Sequence, residues 1–453
     1  MIECMLAAPA SGSGKTAVTC ALLAALEKRG LSPCAFKCGP DYIDPMFHRS
    51  VLGVDSHNLD LFFCAEANLC SLYRHYTEGH GAAVTEGVMG FYDGVGGTTD
   101  TASAWHLAYA LSLPVLLVLR PKGASLTLAA QVKGLLSFRE NNRIVGILLN
   151  DCSPMLAKSL SPMLEKETGL PVLGFLPHMP QAEFESRHLG LLTAGEIKDL
   201  AGRIEVLAAQ LEQTVDVPRL LELCDRGPGF VIPWQQVKPV VKIAVARDES
   251  FCFAYEESLD TLRNMGAELV FFSPLRDREL PLDASGLYLP GGYPELHAKT
   301  LSANKSMRRA VRRAVEQGMP TVAECGGFLY LGQSLEDGNG KAFPMVGALP
   351  GCGVRKEKLV RFGYSLLSAK KDSMLFQVGE QFPVHEFHYW DSTENGTDLH
   401  ARKPVTGRGW DCGFAGPNLY AAFPHLYFAG APVLAQRFVR AARKFKTEGS
   451  EKA

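Results

Sequence analysis

Two segments of this sequence combine residue types and spacings that can do chemistry. In the first, Ser11-Gly12-Ser13-Gly14-Lys15-Thr16 follows an apolar run at residues 2–8 and precedes a helix-like run at 17–26. A glycine-rich turn in that setting presents consecutive backbone N–H groups to phosphate oxygens at a helix N-terminus. Gly12, Ser13 and Gly14 would form the turn, Lys15 would reach the β- and γ-phosphates of a nucleotide such as ATP, and the Thr16 hydroxyl would ligate Mg²⁺. Pro9 stands where such loops usually have their first glycine, but the Gly-Lys-Thr end, where the phosphate chemistry lies, is intact.

In the second segment, Ala323-Glu324-Cys325-Gly326-Gly327 places a thiol between an apolar strand-like run and a helix-like run through Phe328 and Leu331. That is a nucleophile elbow in cysteine form. The helix N-terminus is expected to lower the thiol pKa, and the Gly326 N–H to bind an oxyanion. Leu289-Pro290-Gly291-Gly292-Tyr293-Pro294-Glu295 is a second glycine turn, with Gly292 as a further oxyanion donor. Tyr420-Ala421-Ala422-Phe423-Pro424-His425 ends a strand with a histidine that can act as base to Cys325.

Two acidic turns complete the inventory, Gly39-Pro40-Asp41-Tyr42-Ile43-Asp44-Pro45 and Glu86-Gly87-Val88-Met89-Gly90-Phe91-Tyr92-Asp93-Gly94. Ligands of open α/β sheets sit outside the carboxyl ends of the strands, so these carboxylates could converge on the metal of the phosphate loop. With Lys37 just ahead of the first turn, the set reads as a magnesium and phosphoryl-transfer centre.

The elements that must carry these residues follow an α/β pattern. Short apolar runs at 2–8, 33–37, 82–88, 114–119, 144–150 and 172–176 alternate with helix-length amphipathic segments, the signature of a parallel sheet. Each run is too continuously apolar for a sheet with one wet face, so helices should cover both faces. Gly227, Pro228, Gly229, Pro233 and Pro239 then break any period, which places a linker at 215–239 between a first domain at 1–214 and a second at 240–446. The α/β pattern restarts with strands at 241–246, 268–272, 286–289 and 321–324 and helices at 255–265 and 304–317. After about residue 347 strands and turns dominate up to a helix near 433–444, and the Lys/Glu-rich end from 446 reads as a frayed tail.

Composition narrows the class. At roughly 100 to 200 residues per domain, 453 residues imply two or three domains. Hydrophobic residues at 47% and charged residues at 21% exclude a disordered or fibrous chain. A formal net charge of -2 provides no global field for nucleic acid or an anionic membrane; the local arginine run at 308–313 reads as a solvated helix face. Twelve cysteines are too dilute for a disulfide scaffold and form no zinc-type spacing. With no apolar stretch of roughly 18 residues and no charged leader region, a soluble cytoplasmic protein is expected.

Taken together, Ser11 to Thr16, FKCGPDYIDPMFH at 36–48, NLD at 58–60, EGVMGFYDG at 86–94, RHLGL at 187–191, LPGGYPE, AECGGFLYL and HEFHYW at 385–390 resemble the cobyrinate a,c-diamide synthase family, in order and over nearly the whole chain. The resemblance implies a dethiobiotin-synthetase-like ATP domain, a P-loop parallel sheet covered by helices, followed by an α/β triad-type class I glutamine amidotransferase domain. It implies ATP- and glutamine-dependent amidation of the a and c acetate groups of cobyrinate, with ATP and Mg²⁺ as cofactors. Cys325 then matches the glutaminase nucleophile and His425 its base, Lys15 and Thr16 the ATP site, and Asp41 and Glu86 the metal carboxylates. Tyr42 and Asp44 fall in the segment near the carboxylate being activated. Two positions after His425, where triad enzymes commonly carry an acid, this sequence has Tyr427, which leaves the third catalytic member open. Partners would be small molecules, a tetrapyrrole, L-glutamine and ATP, and a homodimer is compatible with the pattern. Two other readings stay open: amidation of another tetrapyrrole such as nickel sirohydrochlorin, and a regulatory P-loop ATPase carrying an inactive amidotransferase-like tail.

Overall fold

The computed structural model describes residues 1–182, 194–227 and 237–452, without side chains at 194–197 and 449–452. The run at 187–191 therefore lies outside the described residues. Two compact units divide the chain, Met1–Pro233 and Trp234–Ala453.

The first unit is built on a seven-stranded sheet: β1 (Ile2–Ala7), β2 (Pro33–Cys38), β3 (Ser56–Leu59), β4 (Ala82–Glu86), β5 (Val115–Leu119), β6 (Ile144–Asn150) and β7 (Val172–Leu176). Their spatial order is β3-β2-β4-β1-β5-β6-β7, and every pairing is parallel. Helix α1 (Lys15–Lys28) buries Val18, Leu22, Leu23 and Leu26, and its cluster takes in Ala35, Val84, Leu116 and Leu148 from the sheet. Phe36, next to Ala35 and so facing the other way, meets Tyr73 of the helix Glu66–Tyr76 at 4.8 Å between ring centroids. Helices thus cover both faces, which is why the strands read as unbroken apolar runs. The short strand β3 escapes the sequence pattern because Ser56, His57 and Asn58 are polar.

The expected linker at 215–239 begins inside the first unit. Val217–Cys224 is a helix there, capped by Asp216, whose carboxylate accepts the Arg219 N–H at 3.0 Å, and it buries Val217, Leu220 and Cys224 at helical spacing. The chain then returns to the first strand, where Asp225 bridges Ile2. Glu3, 1% exposed, is held there by Arg74 at 2.6 Å and Arg226 at 2.7 Å.

The second unit centres on a six-stranded sheet in the order Phe414–Gly416, Leu419–Ala422, β11 (Thr321–Glu324), β10 (Ala284–Leu289), β8 (Val241–Ala246) and β9 (Ala267–Phe272). It is parallel except for Phe414–Gly416. A five-stranded antiparallel sheet includes Arg361–Ala369, Gln381–His388 and His425–Leu426. The closing helix runs Pro432–Lys452, so the tail expected to fray from residue 446 is helical, with Thr447 hydrogen-bonded to the Arg443 carbonyl and Lys444 3.7 Å from Glu448.

Glu3→Ala should destabilise the protein by about 2 to 3 kcal/mol. That is below the roughly 3 to 5 kcal/mol typical of breaking a buried ion pair, because the two arginines left behind are partly exposed, 23% and 26%, and can rehydrate. Urea denaturation of the variant beside the parent checks it.

Candidate active sites

In the first unit the sheet register assembles the site. Parallel pairing sets Lys37 opposite Glu86 and opposite Asn58, and Leu6 opposite Glu86, so Asn58, Lys37 and Glu86 form a row at the carboxyl ends of adjacent strands. Immediately beyond β1 lies the glycine loop. Gly12 and Gly14 both take left-handed backbone angles, φ +78° and +88°, which glycine adopts at little cost. Around Gly14 there is also no room: a β-carbon would stand 2.0 Å from Asn150 Nδ2, which donates to the Ser13 carbonyl at 3.0 Å.

Behind the loop the charges are close and buried. The Thr16 hydroxyl donates to Glu86 Oε1 at 2.8 Å, and the Lys37 ammonium donates to the same oxygen at 2.7 Å and reaches Asp44 Oδ2 at 2.6 Å. Burial alone would lower the Lys37 pKa, but Glu86, Asp44 and Asp41 together raise it well above the ordinary lysine value. Burial pushes Asp44 up, yet Lys37 holds it below the usual carboxylate range. Asp41 is raised to about 6 by burial and by Asp44, and Glu86 is raised by burial against the pull of Lys37. The Lys15 ammonium, lowered by burial and by Lys37, rests on the Met89 carbonyl at 2.6 Å. Asn58 pins the acidic turn by donating to the carbonyls of Gly39 and Asp41. Tyr42 is partly buried in that turn, and the Asp41 carboxylate accepts the Ile43 N–H at 2.8 Å.

Glu86 Oε2 is buried with no hydrogen-bond partner among the described residues. An orphan carboxylate oxygen beside a threonine hydroxyl and a phosphate loop is the hard-oxygen donor set Mg²⁺ takes, so Thr16 and Glu86 fit a magnesium ion. Asp41 lies near enough to Glu86 to influence its charge.

In the second unit Cys325 joins β11 to the helix Gly326–Leu331 at φ +47° and ψ -102°, a strained conformation for a residue with a side chain. Neighbouring glycines permit the turn. A β-carbon on Gly327 would lie 2.0 Å from the Leu289 carbonyl, and one on Gly326 would lie 2.8 Å from the Pro294 ring and 3.2 Å from the Gly292 nitrogen. Gly292 and Gly326, the two expected oxyanion donors, therefore come together. The strand Leu419–Ala422 pairs with β11 so that Glu324 faces Ala422, and the Cys325 N–H donates to the Ala422 carbonyl at 2.8 Å. His425 follows three residues later. A methyl on Gly291 would sit 2.5 Å from His425 Cε1 and 3.5 Å from Cys325 Cβ, so both side chains approach one point beside that glycine.

The electrostatics correct one expectation. Burial, then the nearby Glu295, pushes the Cys325 thiol up, outweighing the lowering by the Gly326 N–H. Burial, with His385 and His388, lowers His425 to about 3. Burial therefore favours the neutral form of both groups. Glu324, 1% exposed, accepts the Leu426 N–H at 2.9 Å and the Tyr288 hydroxyl at 3.0 Å, and burial raises it to about 8. The HEFHYW run flanks the same place: His385 pairs across from His425, and His388 stacks on Phe423 at 3.8 Å.

Comparison with known proteins assigns a family to each unit. Residues 4–192 match the CobQ/CobB/MinD/ParA nucleotide binding domain and residues 242–433 the CobB/CobQ-like glutamine amidotransferase domain. A protein of Dehalococcoides mccartyi named cobyrinate a,c-diamide synthase is 36% identical, covering 97% of this chain and 98% of its own. One of the same name from Caldanaerobacter subterraneus is 39% identical over 93% and 94%. The chain belongs to the cobyrinate a,c-diamide synthase family. Among solved structures, PurLQS from Thermotoga maritima overlaps 46% of this chain at 16% identity with a TM-score of 0.33, which is too slight to bear on function.

Within this family member, sequence reasoning missed two residues. Asn150, the last residue of β6, closes the phosphate loop, and Glu324 sits beside His425. A polar residue ending an otherwise apolar strand was the available signal in both cases.

Two glycines of the loop should respond differently. Gly14→Ala meets both a positive φ and Asn150, and should weaken ATP binding by about 100-fold, or roughly 3 kcal/mol. Gly12→Ala has nothing within 4 Å and should cost about 1 kcal/mol for its backbone angle alone. Titration calorimetry with ATP distinguishes them.

Proposed function

We propose that this chain catalyses the ATP- and glutamine-dependent amidation of the a and c acetate carboxylates of cobyrinate in cobalamin biosynthesis. The single observation that carries the reading is the pairing, in one chain of this family, of a phosphate loop backed by Lys37, Glu86 and Asp44 with a separate thiol elbow backed by His425. One unit activates a carboxylate; the other makes ammonia from glutamine. The expected working boundaries, 1–214 and 240–446, are part of this reading. Twelve free thiols suit a reducing compartment, and we place the reaction in the cytoplasm.

A carboxylate is a poor acyl donor, so the γ-phosphoryl group of ATP is transferred to it with release of ADP, and ammonia then attacks the acyl carbon and displaces phosphate, leaving the amide. The N–H groups of Gly12, Ser13 and Gly14 hold the phosphates, and Lys15 leaves the Met89 carbonyl to neutralise charge developing on them. Thr16 and Glu86, with Asp41 nearby, would hold a magnesium ion, which when bound offsets charge on the β- and γ-phosphates. Lys37 keeps Glu86 and Asp44 in position. Tyr42 and Asp44 line the segment assigned to the substrate carboxylate, with Asp44 acting through its pair with Lys37.

In the other unit Cys325 attacks the glutamine amide as His425 takes its proton, the N–H groups of Gly292 and Gly326 hold the oxyanion, and His425 passes the proton to the departing ammonia.

Mass spectrometry after incubation with ATP, Mg²⁺, glutamine and a panel of tetrapyrroles should show two added amides on cobyrinate. Preferential gain on another macrocycle would reassign the substrate. Cys325→Ala should abolish glutamine-driven product and keep ammonium-driven product at moderately alkaline pH, whereas Lys15→Ala should abolish both. Loss of both in folded Cys325→Ala would overturn the two-site division.

A further inference from the structure

Tyr427 occupies the position where an acid partner for His425 was sought. It is a buried phenol packed edge-on against Tyr255, ring centroids 5.0 Å apart, and supplies no carboxylate. The structure provides one from a different place in the sequence. Glu324 Oε2 lies 3.8 Å from His425 Nδ1, and both side chains are almost wholly buried.

The surroundings give this carboxylate a fixed direction. Glu324 ends β11, one residue before the thiol, and the strand Leu419–Ala422 runs alongside it into His425. The Leu426 N–H that holds Glu324 Oε1 belongs to the residue after His425, so one hydrogen bond ties the acid to the backbone carrying the base. The Tyr288 hydroxyl holds the other oxygen. On the opposite side of the ring, His425 Nε2 is 3.3 Å from the position a Gly291 β-carbon would take, and Cys325 Cβ is 3.5 Å from that same point. Nδ1 is thus the ring nitrogen beside Glu324, and Nε2 and the Cys325 side chain approach one point next to Gly291. His385 and His388, on the strand Gln381–His388, are the other titratable groups acting on His425, and both oppose a charge on it. The Glu324 carboxylate, 3.8 Å away, favours one whenever it is ionised.

We propose that Glu324 is the third member of the glutaminase triad, a positioning residue that keeps His425 protonated at Nδ1 and offsets the imidazolium formed during attack. This rests on the glutaminase reading above. As the Cys325 sulfur bonds to the glutamine carboxamide carbon, the thiol proton moves to Nε2. That proton then goes to the leaving nitrogen as the carbon–nitrogen bond breaks and ammonia departs. A water molecule cleaves the resulting thioester to glutamate, giving its proton to Nε2, from which it returns to the sulfur. Burial disfavours an isolated charge on either Glu324 or His425, and each charge offsets that cost for the other. The acid comes from the residue before the nucleophile instead of the second after the base.

Glu324→Gln keeps the shape and an acceptor for the Leu426 N–H while removing the negative charge. The ratio of glutamine-driven to ammonium-driven product should fall about 100-fold or more, chiefly in kcat, with KM for glutamine within roughly threefold. Alkylation of Cys325 by iodoacetamide, followed in its own peptide by mass spectrometry across pH, should shift its half-maximal rate upward by roughly one pH unit. Glu324→Asp, which keeps the charge, should recover part of both, and serves as the test if Glu324→Gln does not fold. A ratio within threefold of the parent, or a lost glutaminase with an unmoved alkylation profile, would overturn the proposal in favour of a packing role. Failure of the glutaminase reading would show separately, as a parent enzyme that releases no glutamate from glutamine.

Discussion

A lysine ammonium that is 6% exposed stays charged only where carboxylates replace the water it has lost. Lys37 is such a group, and much of the first unit follows from satisfying it. Glu86 must end β4 at the same level as Lys37 on β2, and the parallel register provides that. The turn after β2 must bring Asp44 back within 2.6 Å, and the Asn58 amide holds that turn by its carbonyls. Lys37 and the Thr16 hydroxyl converge on one oxygen of Glu86, and the other has no hydrogen-bond partner among the described residues. A buried ion pair contributes little net stability on average; its value here is in fixing four oxygens beside a phosphate loop.

The second unit meets the same constraint differently. Burial favours the neutral forms of Cys325 and His425, raising the thiol and lowering the imidazole, and the Glu324 carboxylate stands 3.8 Å from the imidazole. This arrangement stores reactivity. A thiol that ionises only with its base in place and an oxyanion site occupied is protected from adventitious oxidation, which follows thiolate character and exposure. The strained backbone at Cys325 lies between β11 and the closely packed Gly326 and Gly327 that follow it.

The two sites share an architectural logic. Each places its reactive side chain in the turn between a parallel strand and the helix that follows, and each draws its partners from the carboxyl ends of neighbouring strands. Backbone does the positioning, so residues far apart in sequence can meet without long side chains. Lys37 and Glu86 pair in this way, and Cys325 and His425 are brought near one point beside Gly291.

Much of this was legible in the sequence because it is local. Apolar runs long enough for a strand and covered on both sides gave β1, β2 and β4 to β7 nearly to the residue, and the Gly-Lys-Thr turn and the Cys-Gly-Gly turn each carry their chemistry within a few consecutive positions. Polar β3 was not legible, nor was the helix Val217–Cys224 inside an apparent linker, since burial of its three apolar residues depends on a neighbour the local pattern does not contain. Register was also beyond the sequence. Which strand lies beside which decides that Lys37 faces Glu86, that Asn150 closes the phosphate loop, and that Glu324, a residue with no evident role in AECGG, stands beside His425 while Tyr427 packs away. Residue types and short spacings determined which chemistry was present; only the tertiary structure, by bringing strand ends together and excluding water from them, decided which groups share charge.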